Sequence, residues 1–311
     1  MMRARAALAL VLIAVTVAVA AEERSGEGTF KRDTFDNRAY RLYVPRSLLA
    51  PDAPPAPLVI ALHGCWQTPE DFATGTRLNE AADKRGLLVL YPQQGKSGHP
   101  SRCWNWYDPD HQTRNAGEIG QIVSLVERVR LDHKIAGGRI VAVGLSAGGF
   151  MAVNLACAAP EMIAGIGVVA GGPFRCGVGM LPALDCMRGL KSDAETSANL
   201  CLASMGGKRA RPLRASLWHG VDDVVVSPAN LPTLAAMLAR IDGATANVTT
   251  DATEAAVHTT FRDASGRPLV ESWLVRNMGH AWSGGDIRGT HTYPAGPDST
   301  TRILDFLLRS E

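Results

Sequence analysis

This 311-residue sequence lacks an excess of either charge, with 32 Lys and Arg against 30 Asp and Glu. That balance cannot assemble the basic stripe a nucleic-acid binder needs, so no nucleic-acid partner is expected. Internal periods of about 20–50 residues and low-complexity tracts are also absent, which excludes a solenoid or a fibrous chain. No tight Cys-x-x-Cys or His-x-x-x-His spacing occurs, so no metal site is expected, and no cofactor either. What is present is a chain with 46% apolar residues, too apolar and too weakly charged for disorder. At this length roughly three quarters of the unfolded surface can be buried.

Nor is there an apolar run of the roughly 20 residues that span a bilayer. The longest, Ala6 to Ala20, has fifteen residues, follows Arg3 and Arg5, and ends in Ala18-Val19-Ala20. A basic start, a short apolar middle and small residues at the end form a secretory signal, so residues 1–21 are expected to be removed. The mature chain is then secreted, extracellular or periplasmic, without a stable membrane anchor, and formally uncharged. The first cysteine is Cys65, so none sits at the cut to carry a lipid. In an oxidising compartment the even set Cys65, Cys103, Cys157, Cys176, Cys186 and Cys201 is expected to form disulfides. Six cysteines allow 15 pairings.

Residues 22–311 are expected to form one domain. Thr29–Asp33 and Arg38–Val44 predict an antiparallel hairpin. Continuous apolar runs at Leu58–Leu62, Leu87–Tyr91 and Ile140–Val143 predict strands buried on both faces, and Ile166–Ala170 and Leu213–Trp218 are predicted as further strands. Helices are predicted over Pro69–Arg85, around Ile119–Val126 and ended by Gly137-Gly138, and over Ala147–Ala159, Pro228–Ile241 and Ile303–Leu308. Val257–Arg262 and Leu269–Arg276 flank a Ser-Gly turn. Strands alternating with helices give an α/β fold, a mostly parallel central sheet with helices on both faces. A Cys-bearing insertion, residues 171–211, interrupts it.

Gly144-Leu145-Ser146-Ala147-Gly148 falls between a predicted strand and a predicted helix. A serine there is forced onto a tight turn, with its hydroxyl off the sheet and the positive helix end behind it. The other reading is a glycine-rich turn whose serine caps the helix. A nucleophile needs a base and the base an orienting carboxylate, in the chain order Ser, Asp/Glu, His. Of the downstream histidines, His280 lies after the Leu269–Arg276 strand and before the last helix and is preferred, with His291 second. His258 sits inside a strand, and His219 is expected to shape a turn. That turn offers Asp222 and Asp223, of which Asp223 is preferred. The amide of Ala147 is one expected oxyanion donor. The loop His63-Gly64-Cys65-Trp66 is the source of the other, expected at the Cys65 amide, and His63 itself is read as a turn-stabilising side chain.

These residues occur in the order of a family. Leu62-His63-Gly64-Cys65, Gln67, Phe72, Tyr91-Pro92, Cys103-Trp104-Asn105-Trp106, Gly144–Gly149, His219-Gly220 with Asp223, and Gly279–Gly285 together resemble the secreted polyhydroxybutyrate depolymerase-type esterases. These are α/β-hydrolases related to feruloyl and acetylxylan esterases. The resemblance runs from about Phe30 to the last helix. It implies Ser146 as nucleophile, His280 as base, Asp223 as third member, and the Cys65 amide in the oxyanion hole. It also implies a Cys65–Cys103 disulfide, whose loop closure is worth roughly 4 kcal/mol in chain entropy. Trp104, Asn105, Trp106 and Trp282 are expected to line the cleft, with ordinary aromatic packing as the alternative for the indoles.

The implied activity is a serine esterase that forms an acyl-enzyme from short-chain poly(3-hydroxybutyrate)-type polyesters or their oligomers. Feruloyl or acetyl esters of plant cell-wall polysaccharide are the alternative. Two other classes are a catalytically silent binding protein that uses the same cleft, and a metal-dependent deacetylase built on His280, Asp286 and His291. The spacing of the latter three matches no established ligand pattern.

Overall fold

The structure is a computed structural model that describes residues 28–190, 193–207, 211–245 and 247–309. The expected signal, 1–21, lies outside the described residues. One ten-stranded sheet is made of β1 (Thr29–Phe35), β2 (Arg38–Val44), β3 (Ala56–Leu62), β4 (Leu88–Pro92), β5 (Ile135–Leu145), β6 (Gly165–Val169), β7 (Arg214–Gly220), β8 (Asn247–Ala252), β9 (Ala256–Arg262) and β10 (Pro268–Val275). The strand order is β1-β2-β4-β3-β5-β6-β7-β10-β9-β8. From β4 through β10 the pairings are parallel; the hairpins β1-β2 and β9-β8 run antiparallel at the two flanks. A small pair, β11 (Trp282–Ser283) and β12 (Thr292–Tyr293), follows.

Helices cover both faces because the strands are apolar on both. Leu58, Ile60 and Leu62 of β3 point into one core layer, Val59 and Ala61 into the other, the period-two alternation of a pleated strand. The first layer is closed by α3 (Gly117–Asp132), α4 (Ala147–Ala158), α6 (Ala194–Met205) and α7 (Asn230–Ile241), with α5 (Met180–Met187) at its margin. The second is closed by α1 (Pro69–Thr76), α2 (Leu78–Arg85) and α8 (Ser299–Leu308). All twelve residues of α4 are buried, which is why its sequence is apolar around the whole circumference.

Several sequence expectations change. The single helix over Pro69–Arg85 is two helices, broken at Arg77, which takes a left-handed φ of 58°. The carbonyls that would continue it are taken elsewhere: Gly75 O accepts the Asp286 amide at 2.9 Å, and Thr76 O accepts the Thr300 hydroxyl. Gly137-Gly138 does not end a helix; α3 stops at Asp132, and the pair lies inside β5. The insertion carries α5 and α6, and β8 adds a flanking strand that the sequence did not reveal.

Three disulfides join Cys65 to Cys103, Cys157 to Cys201 and Cys176 to Cys186, as befits an oxidising compartment. The second ties α4 to α6, and the third staples the segment around α5. Among the described residues no helix is long and apolar enough to cross a membrane.

Candidate active site

The turn between β5 and α4 is built from glycine. A Cβ placed on Gly148 would lie 2.0 Å from Leu62 O, and one on Gly144 would lie 2.3 Å from Gly148 O. No side chain fits at either position, so the first turn of α4 presses directly onto the end of β3. Between them Ser146 holds φ 56° and ψ −123°, a strained conformation for a residue with a side chain. Its amide donates to Val169 O at 2.9 Å, and its carbonyl accepts the Phe150 amide at 3.0 Å. One bond across to β6 and one into the helix thus fix the backbone, while the residue stands at the positive end of α4.

Asp223 and His280 arrive from neighbouring parallel strands, β7 and β10. Gly220 at the end of β7 lets the two loops meet, since a Cβ there would lie 2.1 Å from Met278 O. The Asp222 amide donates to Met278 O at 2.9 Å and closes the seam. His280 Nδ1 then reaches Asp223 Oδ2 at 2.7 Å. A carboxylate has no proton to give, so Nδ1–H is the donor, and the neutral ring keeps the Nε2 lone pair for another partner. Oδ1 of Asp223 accepts the amides of Val225 and Val226, both at 2.9 Å. Burial alone would raise the Asp223 carboxyl. Hydrogen bonds from His219 and His280, the His280 charge and the Val226 amide outweigh it and hold the group far below the usual carboxylate range. Asp222, the other carboxylate of the turn, is exposed.

His291, the second choice for base, lies with its ring 6.0 Å from that of His280 and makes no contact with Asp223. His258 pairs with Glu271 and stacks on Trp273 inside the sheet. Asp286 pairs with Arg288 at 2.6 Å, and among the described residues no group of three or more His, Cys, Asp or Glu could hold a metal. Among the described residues neither Ser146 Oγ nor His280 Nε2 has a hydrogen-bond partner; such contacts are often open before substrate arrives.

The loop after β3 passes beside the serine. A Cβ on Gly64 would lie 3.6 Å from Ser146 Cβ. Two side chains and one backbone bond hold this loop. His63 Nδ1–H donates to Gly64 O at 2.8 Å, while Nε2 accepts the Gln94 amide at 3.0 Å. That pair of bonds fixes a neutral ring, and burial pushes the His63 pKa down to about 4. Gln67 Oε1 accepts the Gly64 amide at 2.8 Å, and Gln67 Nε2 donates to Thr290 O at 3.2 Å, linking the loop to the segment beyond His280. Trp66 N–H donates to Ser101 O at 2.7 Å. The amides of Cys65 and Ala147 are left without a protein acceptor among the described residues.

The tryptophans expected on the cleft wall are in the core instead. Trp104 is fully buried and donates from Nε1 to His63 O at 3.0 Å. Trp106 is stacked on Phe150 with ring centroids 3.9 Å apart. Trp282 is buried edge-on against Phe72 and donates to Thr300 Oγ1. Asn105 is anchored inward, both its backbone amide and its Nδ2 donating to the buried Glu118 carboxylate at 2.8 Å. All four support the loops from behind. The tryptophan at the rim is Trp66, 67% exposed, which the sequence alone did not single out.

Ser146 follows β5, Asp223 follows β7 and His280 follows β10, all at carboxyl ends of one parallel sheet, where an α/β-hydrolase carries its reacting groups. The fold agrees: acetyl xylan esterase from Aspergillus awamori superposes with a TM-score of 0.71 at 20% identity, over 81% of this chain and 94% of that one. The chain belongs to the family described as Esterase PHB depolymerase, whose profile matches residues 38–262. It is 34% identical over 229 residues to poly(3-hydroxyalkanoate) depolymerase C of Paucimonas lemoignei, covering 72% of this chain and 55% of that enzyme. Feruloyl esterase B of Thermothelomyces thermophilus is 31% identical over 194 residues, 60% of this chain and 64% of the esterase. The chain spans about half the length of the polyester depolymerases it matches.

Proposed function

We propose that this chain is a secreted serine esterase that cleaves short-chain poly(3-hydroxybutyrate)-type polyesters or their oligomers through an acyl-enzyme. The observation that carries the reading is the 2.7 Å bond from His280 to Asp223, on loops that share one sheet edge with the strained Ser146 turn. Ser146 Oγ attacks the ester carbonyl carbon as His280 Nε2 takes its proton. The oxyanion that forms receives the Cys65 and Ala147 amides, donors whose individual loss commonly costs 10²–10³ in rate. When the tetrahedral species collapses, the C–O bond to the alcohol breaks and His280 returns the proton to that oxygen. Water, activated by the same ring, then releases the acid and restores Ser146. Asp223 fixes the tautomer and stabilises the imidazolium throughout.

Ser146→Ala tests the mechanism: hydrolysis of a soluble butyrate ester and covalent labelling by an organophosphonate are both expected to vanish. Retention of either rejects it. The likeness to Feruloyl esterase B favours a second reading, hydrolysis of feruloyl or acetyl esters on cell-wall polysaccharide. A panel of hydroxybutyrate oligomers, polyhydroxybutyrate film, feruloylated arabinoxylan and acetylxylan separates the two.

A further inference from the structure

The segment that the sequence left unassigned carries an unusual helix. In α5 only Ala183 and Cys186 are buried. Its outward positions are Met180, Leu181 and Leu184, which are 57%, 76% and 41% exposed. A surface helix normally turns its large apolar side chains inward, and this one buries only Ala183 and Cys186 and keeps the larger ones outward. From Cys176 to Leu184 the sequence has no charged side chain.

This helix is held in place rather than loosely appended. Cys176–Cys186 closes the segment on itself. The Gly179 amide donates to Tyr107 O at 2.9 Å, fastening the start of α5 to the segment that follows the Cys103 disulfide. At its end, Met187 O accepts the Ser227 amide at 2.7 Å, fastening α5 to the loop that carries Asp223. That loop adds Val224, 96% exposed, beside the buried carboxylate. Beyond the Cys65–Cys103 bridge stands Trp66, one residue from the Cys65 amide and held at a φ of 67°, an outlier for so bulky a side chain. Bonds from its N–H to Ser101 O and from Arg102 Nη1 to its carbonyl pin it there.

Trp66, α5 and Val224 come from the loops after β3, β6 and β7, all at the carboxyl edge of the sheet where Ser146 sits. We propose that Trp66, Met180, Leu181, Leu184 and Val224 form a landing face for the surface of an insoluble aliphatic polyester, placing chain segments over Ser146. This deepens the esterase reading above and rests on it. Single exposed apolar residues are ordinary, but a rigid group of them around a reacting serine marks an interaction site. A permanent protein partner seated there would cover the serine; a substrate surface is the occupant that leaves the site in use. The chemistry narrows the occupant further. Met, Leu and Val offer no hydrogen bonds to sugar hydroxyls, and without Lys or Arg the helix lacks the attraction that draws a peripheral helix to anionic lipid. Contact with methyl-bearing polyester needs only removal of apolar surface from water.

The test reads adsorption of the Ser146→Ala chain, so that turnover does not enter. Half-saturation concentrations are measured on polyhydroxybutyrate film, acetylxylan particles and phosphatidylglycerol vesicles. Leu181→Asp and Val224→Asp, each placed in that background, alter fully solvated positions and preserve the core. Each is expected to raise the half-saturation concentration on film at least tenfold. Leu131→Asp is the control, 80% exposed at the opposite edge of the sheet, and leaves adsorption unchanged. The proposal is overturned if the Leu181 and Val224 variants adsorb like their parent, if the parent does not adsorb to film, or if it prefers xylan or vesicles. The esterase reading fails separately, by absence of soluble-ester turnover in the wild-type chain.

Discussion

His219 touches the same carboxylate oxygen of Asp223 that receives His280, with Nε2 3.4 Å from Oδ2. The same Nε2–H donates to Val226 O at 2.8 Å, so one buried imidazole clamps both ends of the loop that presents the carboxylate. In the proposed mechanism His219 is a positioning residue, acting through Asp223. His219→Phe is expected to lower kcat roughly 10–100-fold while KM stays within about twofold, the signature of a small displacement at the reacting centre. His219→Gln, which keeps a donor, is expected to recover most of the loss. A fall in thermal stability with kcat unchanged would reduce His219 to a packing role. Asp223→Asn, which leaves the shape and removes the charge, is expected to cost about 10⁴ in kcat.

Two buried groups contribute to the acid tolerance of the fold. His63 titrates near 4 when folded and near 6.5 when unfolded. Between those values the unfolded chain binds the extra proton, so His63 stabilises fully above about pH 6.5, and that share is lost as pH falls toward 4. Asp223 is depressed below the unfolded carboxylate value, so its share is present above about pH 4 and lost below it. Urea midpoints taken from pH 7 to 4 should therefore fall for the wild type, with a slope of up to about 1.4 kcal/mol per pH unit from His63. In His63→Gln the slope over this window should flatten. Parallel curves would show that His63 is not buried as a neutral ring.

Gly148→Ala puts a methyl group 2.0 Å from Leu62 O, with backbone on both sides of the clash. The expected loss is about 1–3 kcal/mol of stability, accompanied by a fall in kcat because the serine turn must shift. Gly137→Ala meets nothing within 4 Å and should stay within about 0.5 kcal/mol of the wild type. Chemical denaturation of both variants, side by side with their kcat values, checks this.

The Cys65–Cys103 and Cys157–Cys201 bridges close loops of similar length, with sequence separations of 38 and 44. Chain entropy assigns each about 4 kcal/mol. Replacing either pair by serine should therefore cost comparable stability. Only the first pair carries a candidate oxyanion amide, so its loss should also depress kcat at temperatures where both variants remain folded. Equal kcat values for the two variants would detach Cys65 from the chemistry.

The parallel core could be read from the sequence because its strands are buried on both faces and spell continuous apolar runs, as in Leu58–Leu62 and Ile140–Val143. Gly144–Gly148 was equally legible, since a strand-to-helix turn imposes its glycines locally. What escaped depends on contacts distant along the chain. Arg77 breaks a helix because Asp286 and Thr300 claim the carbonyls before it. Trp104 and Trp282 carry the same letters whether they face a cleft or the core; the buried acceptors His63 O and Thr300 Oγ1 decide it. Trp66 is legible only as the last residue of the His63–Trp66 loop, because exposure leaves no mark on sequence. α5 falls in the insertion for which the sequence gives no element, and nothing in its letters tells an outward apolar position from an inward one.

The mount of the reacting serine and the rim around it obey different constraints. Every residue of α4 is enclosed, and a side chain at Gly148 would press on the backbone of β3, whereas α5 lies in a disulfide loop of sequence separation 10 whose large apolar side chains face outward. Drift can therefore rewrite Met180, Leu181 and Leu184 without disturbing the elbow. On the proposed landing face, one chassis would be fitted to new materials by exchanging a short cassette, which makes this loop the place to begin in retargeting the protein.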